Sequence, residues 1–366
     1  MNGADPIAVA ERLFALLDEG SFSATYKYAV LMALLDLCFE KTSRTGAPPT
    51  SLTTRELAEK VLELYWPQCE RYEDDKYLRQ GGVNASQQAE LLSKIIEFRE
   101  RHGSAARGLV RDRRPASSQL IDFIEWKLIE MPLPRLQVIG RTEHRFLYEY
   151  GWDKDLKHST VKRYQRGERV GFDNHLLLKP GIAEALIRLN TLVRPLIRRE
   201  WLRQVQLFNR SRIPGSALEN FLFDREREAL GKVDGALREL QGSRCFYCDE
   251  RLSRGQVDHF IPWARYPNNA IENLVLAHDG CNNNKRDFLA ASPHVQRWAE
   301  RLAKRADELI EVAAEHSLET APTRSRSVAV ALYERLPESA LVWDRVGTFR
   351  AWADERSGVI RALAAA

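Results

Sequence analysis

The residues of this chain best equipped for chemistry lie between Cys245 and Leu289, in CFYCDERLSRGQVDHFIPWARYPNNAIENLVLAHDGCNNNKRDFL. Two short spacings bracket the stretch, Cys245-x-x-Cys248 and, further on, His278-x-x-Cys281. Zinc takes four soft or borderline donors in a tetrahedron, and a two-residue spacer lets both side chains of a tight turn reach one ion at about 2.0–2.3 Å. The four residues together predict a closed Cys3His zinc site, structural because no position is left for water or substrate. A lone C-x-x-C could equally be a disulfide or a redox pair; the second ligand pair, and the lack of a preceding βαβ pattern, weigh against both. Cys38 and Cys69 fall inside helical patterns and read as small buried residues.

Between the two pairs stands Asp258-His259, flanked by Val257 and Phe260. An acid followed by a histidine among apolar neighbours reads as a strand end presenting a polar pair. Asn273 follows in Glu-Asn-Leu-Val-Leu, and Asn282 comes directly after the last zinc ligand, with Lys285 behind it. Taken singly, each has a plain structural explanation. Asp258 could cap a turn, Asn273 could be a loop asparagine, Asn282 a helix N-cap and His259 a satisfied core histidine. In this order, inside a zinc frame, they read as one site. His102, His144, His158, His175, His294 and His316 lack such company and read as surface or interface residues.

On these residues the segment resembles the HNH endonucleases, whose ββα-metal fold packs a two-stranded hairpin on a helix around a metal. C-x2-C, DHxxP, NL and a ligand pair running into CNxxK follow in order, over about 45 of the 366 residues. Asn282 stands where many members have histidine, which makes this a His-Asn-Asn version. The resemblance implies a metal-dependent hydrolase that cuts DNA phosphodiesters, by nicking or by double-strand cleavage. It assigns His259 as general base, a task for which an ordinary imidazole pKa of about 6.5 is suited. Asp258 and Asn282 would hold Mg2+ or Mn2+ through hard oxygen donors. Asn273 would hydrogen-bond across the hairpin loop and keep His259 in line, while Lys285, Arg265 and Arg286 would contact phosphate. Tyr26–Leu37, Asp287–Ala290 and His294–Trp298 also look like HNH proteins of bacterial restriction and phage-defence loci. That likeness implies anti-phage defence or restriction, gated by a regulatory partner protein, by a modified-base requirement or by a signal received by the helical regions. Two other functions fit the same motif: an RNA-cleaving effector or toxin, since a phosphodiester site does not announce the sugar, and a non-catalytic zinc-dependent nucleic-acid-binding module. Double-stranded DNA is the expected partner. Two-strand cleavage by a one-site nuclease would favour a homodimer, and a nickase would not need one.

The elements that must position this site read mostly as helices. Apolar residues at three- and four-residue spacing predict helices over 8–17, 23–40, from Thr53 or Thr54 to Tyr65, and over 86–101 and 117–130. From 136 to 150 a looser alternation around Gly140 predicts a β-hairpin. Helices are expected again from Pro180 through Arg203, over 217–240 and 293–314, and after Arg324. The expected fold class is α+β, predominantly α-helical, with helical N- and C-terminal regions flanking a small zinc-stapled ββα-metal domain. The division expected is a helical bundle at 1–105, a basic helical region at 106–220 with the hairpin near 136–150, an HNH domain with lead-in helix at 221–292, and a C-terminal helical region at 293–366.

Composition narrows the remaining choices. A hydrophobic share of 44% is ample for real cores and argues against disorder. The net charge of +4 excludes a polybasic tail protein, yet it is unevenly distributed. Residues 1–100 carry 11 Lys/Arg against 16 Asp/Glu, residues 101–220 carry 23 against 13, and residues 221–366 carry 21 against 22. Within the basic middle, Lys162, Arg163, Arg166 and Arg169 form a candidate nucleic-acid surface, and Arg194, Arg198, Arg199 and Arg203 follow at helical steps. Five cysteines, an odd number, do not make the disulfide framework of a secreted domain. Asp5, Glu11 and Arg12 interrupt the run a signal peptide needs, and the apolar stretch from Tyr28 to Phe39 contains Asp36 and is too short to span about 30 Å of hydrocarbon. A cytoplasmic protein without membrane contact is expected.

Overall fold

A computed structural model describes residues 5–19, 24–72, 76–81, 88–103, 106–111, 114–209, 214–224 and 229–365. The chain falls into two compact units, one of residues 1–38 and 49–225, the other of residues 39–48 and 226–366. The architecture is α+β and predominantly helical, with short antiparallel sheets. Among the described residues no helix is long and apolar enough to cross a membrane.

The first unit is built on helices whose ends are legible in the sequence. The helix Thr54–Tyr65 opens on a capping box, in which Thr53 Oγ1 accepts from the Glu56 amide and Glu56 Oε2 accepts from the Thr53 amide. The helix Tyr26–Glu40 is apolar on nearly every side because nearly every side is buried. Of its two acids, Asp36 meets Arg194 of the long helix Ile182–Asn209 in a buried ion pair of 2.5 Å, and Asn190 Oδ1 accepts from the same guanidinium. This corrects the reading of Arg194, Arg198, Arg199 and Arg203 as one outward row. Arg194 is core, Arg198 is largely buried against Asp224, and only Arg199 and Arg203 are mainly exposed.

The helices expected over 86–101 and 117–130 run Glu90–His102 and Pro115–Glu130; Ser86 and Gln87 lie outside the described residues. The hairpin expected over 136–150 shrinks to two residues per arm, Val138–Ile139 with Thr142–Glu143. Tyr148–Tyr150 instead pairs with His175–Leu178, which also pairs with Ser51–Thr53, in a three-stranded antiparallel sheet.

The second unit carries the metal-ligand motifs. The continuous helix expected over 217–240 is broken: Gly215–Glu219 and the wider turn Asn220–Asp224 belong to the first unit, residues 225–228 lie outside the described residues, and the helix Asp234–Leu240 belongs to the second. It leads into the antiparallel hairpin Gln256–His259 and Leu274–Ala277, followed by the helix Asp279–Lys285. The helices Ser292–Lys304, Ala306–Glu315, Pro322–Glu334 and Trp352–Ala365 complete the unit. A second hairpin, Leu341–Arg345 with Thr348–Ala351, stands where only helix was expected.

The helix Ser292–Lys304 holds the first hairpin from behind. Trp298 stacks on Phe260 with centroids 4.9 Å apart and donates to the Glu272 carbonyl at 2.7 Å. Arg301, buried, donates to the carbonyls of Glu272 and Leu274 at 2.6 and 2.8 Å. Burial pulls its guanidinium down to a pKa of about 10, with Glu272 opposing the shift.

Candidate active site and metal centre

Two turns bring the cysteines and His278 together. Cys245 begins a knuckle closed by the Asp249 amide donating to the Cys245 carbonyl and the Cys245 amide donating to Glu250, with Asp249 in the left-handed region at φ 62°. The Phe246 amide donates to Leu276 across the hairpin edge, and Arg297 donates to the carbonyls of Phe246 and Tyr247, so the knuckle is fixed on both sides. Cys281 sits in the first turn of the helix Asp279–Lys285, just after His278. The ligand atoms of Cys245, Cys248, His278 and Cys281 all lie within 4.8 Å of one another.

This donor set fits zinc in chemistry and in detail. His278 Nδ1 points at Cys248 Sγ, 3.3 Å away, while its Nε2 lies 3.2 Å from the Arg251 carbonyl. A carbonyl partner on the far nitrogen keeps the proton there and leaves Nδ1 as the ligand, the usual arrangement behind a metal-bound imidazole. Burial, then the neighbouring thiols Cys245 and Cys248, push the Cys281 thiol up. Crowding three thiols in this way is a cost that a dication offsets, because it favours their thiolate forms.

The hairpin delivers the acid and the histidine. Asp258 and His259 end the strand Gln256–His259, opposite Val275 and Leu274, and both are largely buried. The loop that follows is braced by Asn273, which is fully enclosed. Its Oδ1 accepts from the Ile261 amide at 2.7 Å, and its Nδ2 donates to the carbonyls of Ile261 and Asn268 at 3.1 and 2.9 Å. With the Phe260 amide donating to the Asn273 carbonyl, the backbone just beyond His259 is pinned to the opposite end of the loop. The imidazole leans on Trp263, centroids 5.2 Å apart, with Nε2 at 2.7 Å from Asn269 Oδ1.

A cleft of about 430 Å³ opens beside this pair, lined by Asp258, His259 and Asn282 together with Gln256, Asp234 and Gly231. Asn282 donates through Nδ2 to Gln256 Oε1 at 3.0 Å, which turns its amide oxygen into the atom free to act as a donor. Asp234, at the start of the helix Asp234–Leu240, is a cleft carboxylate that the motif spacing did not single out. Its one signal was a position opening a helix ahead of the first knuckle.

Lys285 is not where a phosphate contact would be. Its side chain is completely enclosed, and its ammonium donates to Asp258 Oδ2 and to the His259 carbonyl, both at 2.9 Å. Tyr247, inside the knuckle, donates to the same Asp258 oxygen at 2.5 Å. Burial and the adjacent Asp258 carboxylate raise the Tyr247 pKa well above its ordinary value, so the phenol keeps the proton it donates. His294, read as a surface histidine, is buried behind Tyr247, with its ring edge-on to that phenol at 5.4 Å and stacked on Trp343.

Arg265 donates to the Asp287 carbonyl, and Arg286 ends the motif helix in the left-handed region at φ 51°, exposed to solvent. Neither is among the residues lining the cleft. Lys162, Arg163, Arg166 and Arg169 are exposed on and just beyond the helix His158–Gln165 of the first unit.

Two family comparisons match the chain. Residues 8–222 match a family described as a domain of unknown function (DUF8808), and residues 245–291 match the family described as HNH endonuclease. No curated protein and no solved structure matches it.

Proposed function

The chain belongs to the family of the domain of unknown function DUF8808, which spans more than half of it, and also carries an HNH endonuclease domain; from this we propose a metal-dependent endonuclease acting on DNA. The observation that supports the reading best is the cleft on which Asp258, His259 and Asn282 meet beside the four-ligand zinc centre. Asp258 Oδ1, which has no hydrogen-bond partner among the described residues, and the Asn282 amide oxygen are hard donors that would hold Mg2+ or Mn2+. Such an ion would neutralise charge on the phosphoryl and departing oxygens.

The protein's own residues do the rest. His259, steadied by Trp263 and Asn269, takes the proton from a water whose oxygen bonds to phosphorus. The bond from phosphorus to the leaving sugar oxygen breaks, and that oxygen takes a proton from solvent. Asn273 holds the loop so that the imidazole stays in line. Zinc on Cys245, Cys248, His278 and Cys281 would tie the knuckle to the start of the motif helix and add its binding energy to folding. The exposed bases Lys162, Arg163, Arg166 and Arg169, with Arg286 and Arg265, are proposed to meet the phosphate backbone of double-stranded DNA. The role proposed is anti-phage defence or restriction in the cytoplasm, under control of a partner protein; its support is the likeness of Tyr26–Leu37 and His294–Trp298 to HNH proteins of such loci.

Incubating the zinc-loaded protein with supercoiled plasmid, single-stranded DNA and total RNA in Mg2+, Mn2+ or EDTA tests the reading. Cleavage of plasmid with either ion and none in EDTA is expected. His259→Ala should lower the rate at least about 10²-fold, the smaller contribution of a positioned general base, with zinc content unchanged. Cleavage of RNA alone would move the activity to the effector reading, and salt-dependent binding without any cleavage would leave a binding module.

A further inference from the structure

The two buried donors on Asp258 converge on one oxygen. Tyr247 Oη at 2.5 Å and Lys285 Nζ at 2.9 Å both take Oδ2. A carboxylate with one oxygen saturated in this way has a fixed rotamer and a single oxygen left to offer. The clamp is itself immobilised. The Tyr247 ring is met edge-on by Phe246, His294 and Trp343 at 5.3, 5.4 and 5.1 Å, and Lys285 is tied a second time to the carbonyl of His259. Tyr247 also lies between two zinc ligands, Cys245 and Cys248, on a turn whose carbonyls Arg297 holds.

We propose that Tyr247 and Lys285 are positioning residues that load Oδ2 of Asp258 so that Oδ1 is presented for a divalent cation in the cleft. Through Tyr247 the zinc knuckle aligns the reactive carboxylate as well as stabilising the fold. The proposal rests on the reading of Asp258 as a ligand of the catalytic metal. It extends that reading to two residues which touch neither cation nor substrate.

Tyr247→Phe removes one hydroxyl, keeps the ring and changes no charge. Binding of Mn2+ to the zinc-loaded protein, followed by the electron paramagnetic resonance of free Mn2+, reads the site without reference to cleavage. The affinity is expected to fall at least about tenfold, as for other groups that orient a metal ligand, with one zinc retained. Tyr333→Phe is the matched control. It also removes a buried phenolic hydroxyl, one that donates to the Ala290 carbonyl at 2.7 Å and not to Asp258, and it is expected to lower the melting temperature while leaving Mn2+ affinity unchanged. Asp258→Asn separates the two levels of inference. If it loses Mn2+ binding while Tyr247→Phe binds like the wild type, the positioning role is overturned and the nuclease reading stands. If Asp258→Asn binds Mn2+ normally, both fall. Loss of zinc or of folding in Tyr247→Phe, with Tyr333→Phe folded, would assign the hydroxyl to the integrity of the knuckle and also overturn the proposal.

Discussion

Removing the Lys285 ammonium would leave the Asp258 carboxylate buried with only Tyr247 to donate to it, and breaking one side of a buried pair costs about 3–5 kcal/mol. Lys285→Ala is therefore expected to destabilise the second unit by that amount in a denaturant titration. An exposed phosphate contact would change stability by under about 0.5 kcal/mol, so a small effect would return Lys285 to the surface role the motif suggested. The residues that local spacing identifies, the two ligand pairs and Asp258-His259, are the ones the structure gathers, because a knuckle or a strand end is decided within a few positions. The role of Lys285 depends on Tyr247 and Asp258 arriving beside it from two other elements. Nothing in CNxxK states that its lysine faces inward.

At the scale of elements, the helix Ser292–Lys304 brings a titratable group into the core. Burial pulls the His294 pKa below its ordinary value, Arg297 and Arg350 reinforce the shift, and a 2.5 Å contact with the Asp344 carbonyl opposes it. Because the folded state binds the proton less tightly than the unfolded chain does, the stability this histidine contributes is present above about pH 6.5 and is lost as the pH falls below it. The second unit is expected to melt at a lower temperature at pH 5.5 than at pH 7.5, and His294→Phe should flatten that difference; an unchanged slope would contradict the assignment. The sequence placed His294 at the surface because the helix is amphipathic and histidine is usually exposed, while the rings that cover it, Tyr247 and Trp343, come from distant elements. The hairpin Leu341–Arg345 and Thr348–Ala351 was illegible for a related reason: Val342 and Trp343 are adjacent and both buried, so the first strand lacks clean alternation. Its one local signal was Gly347, which turns the chain at φ 73°. The helix Thr54–Tyr65 was legible because its cap is written in consecutive residues, Thr53 to Glu56.

At the scale of the whole molecule, the Cys3His cluster and the cleft belong to one compact unit and the basic residues 162–169 to the other. Cys281→Ser, which takes one ligand from the set, is expected to lower zinc content and to remove or strongly lower the second unit's transition in calorimetry, leaving the first unit's in place. Two unshifted transitions would show that the four residues do not hold a structural ion. Residues 39–48 give this division a consequence for the chain as it is made. They precede most of the first unit in sequence, yet they close the second: Glu40 accepts from Tyr266, 226 positions later, and the Gly46 carbonyl accepts from Arg335, 289 positions later. On a ribosome this segment waits for its partners until Tyr266 and Arg335 have emerged. The second unit is thus closed only long after its first residues have been made, and a fragment beginning at residue 226 would lack a piece of its own domain.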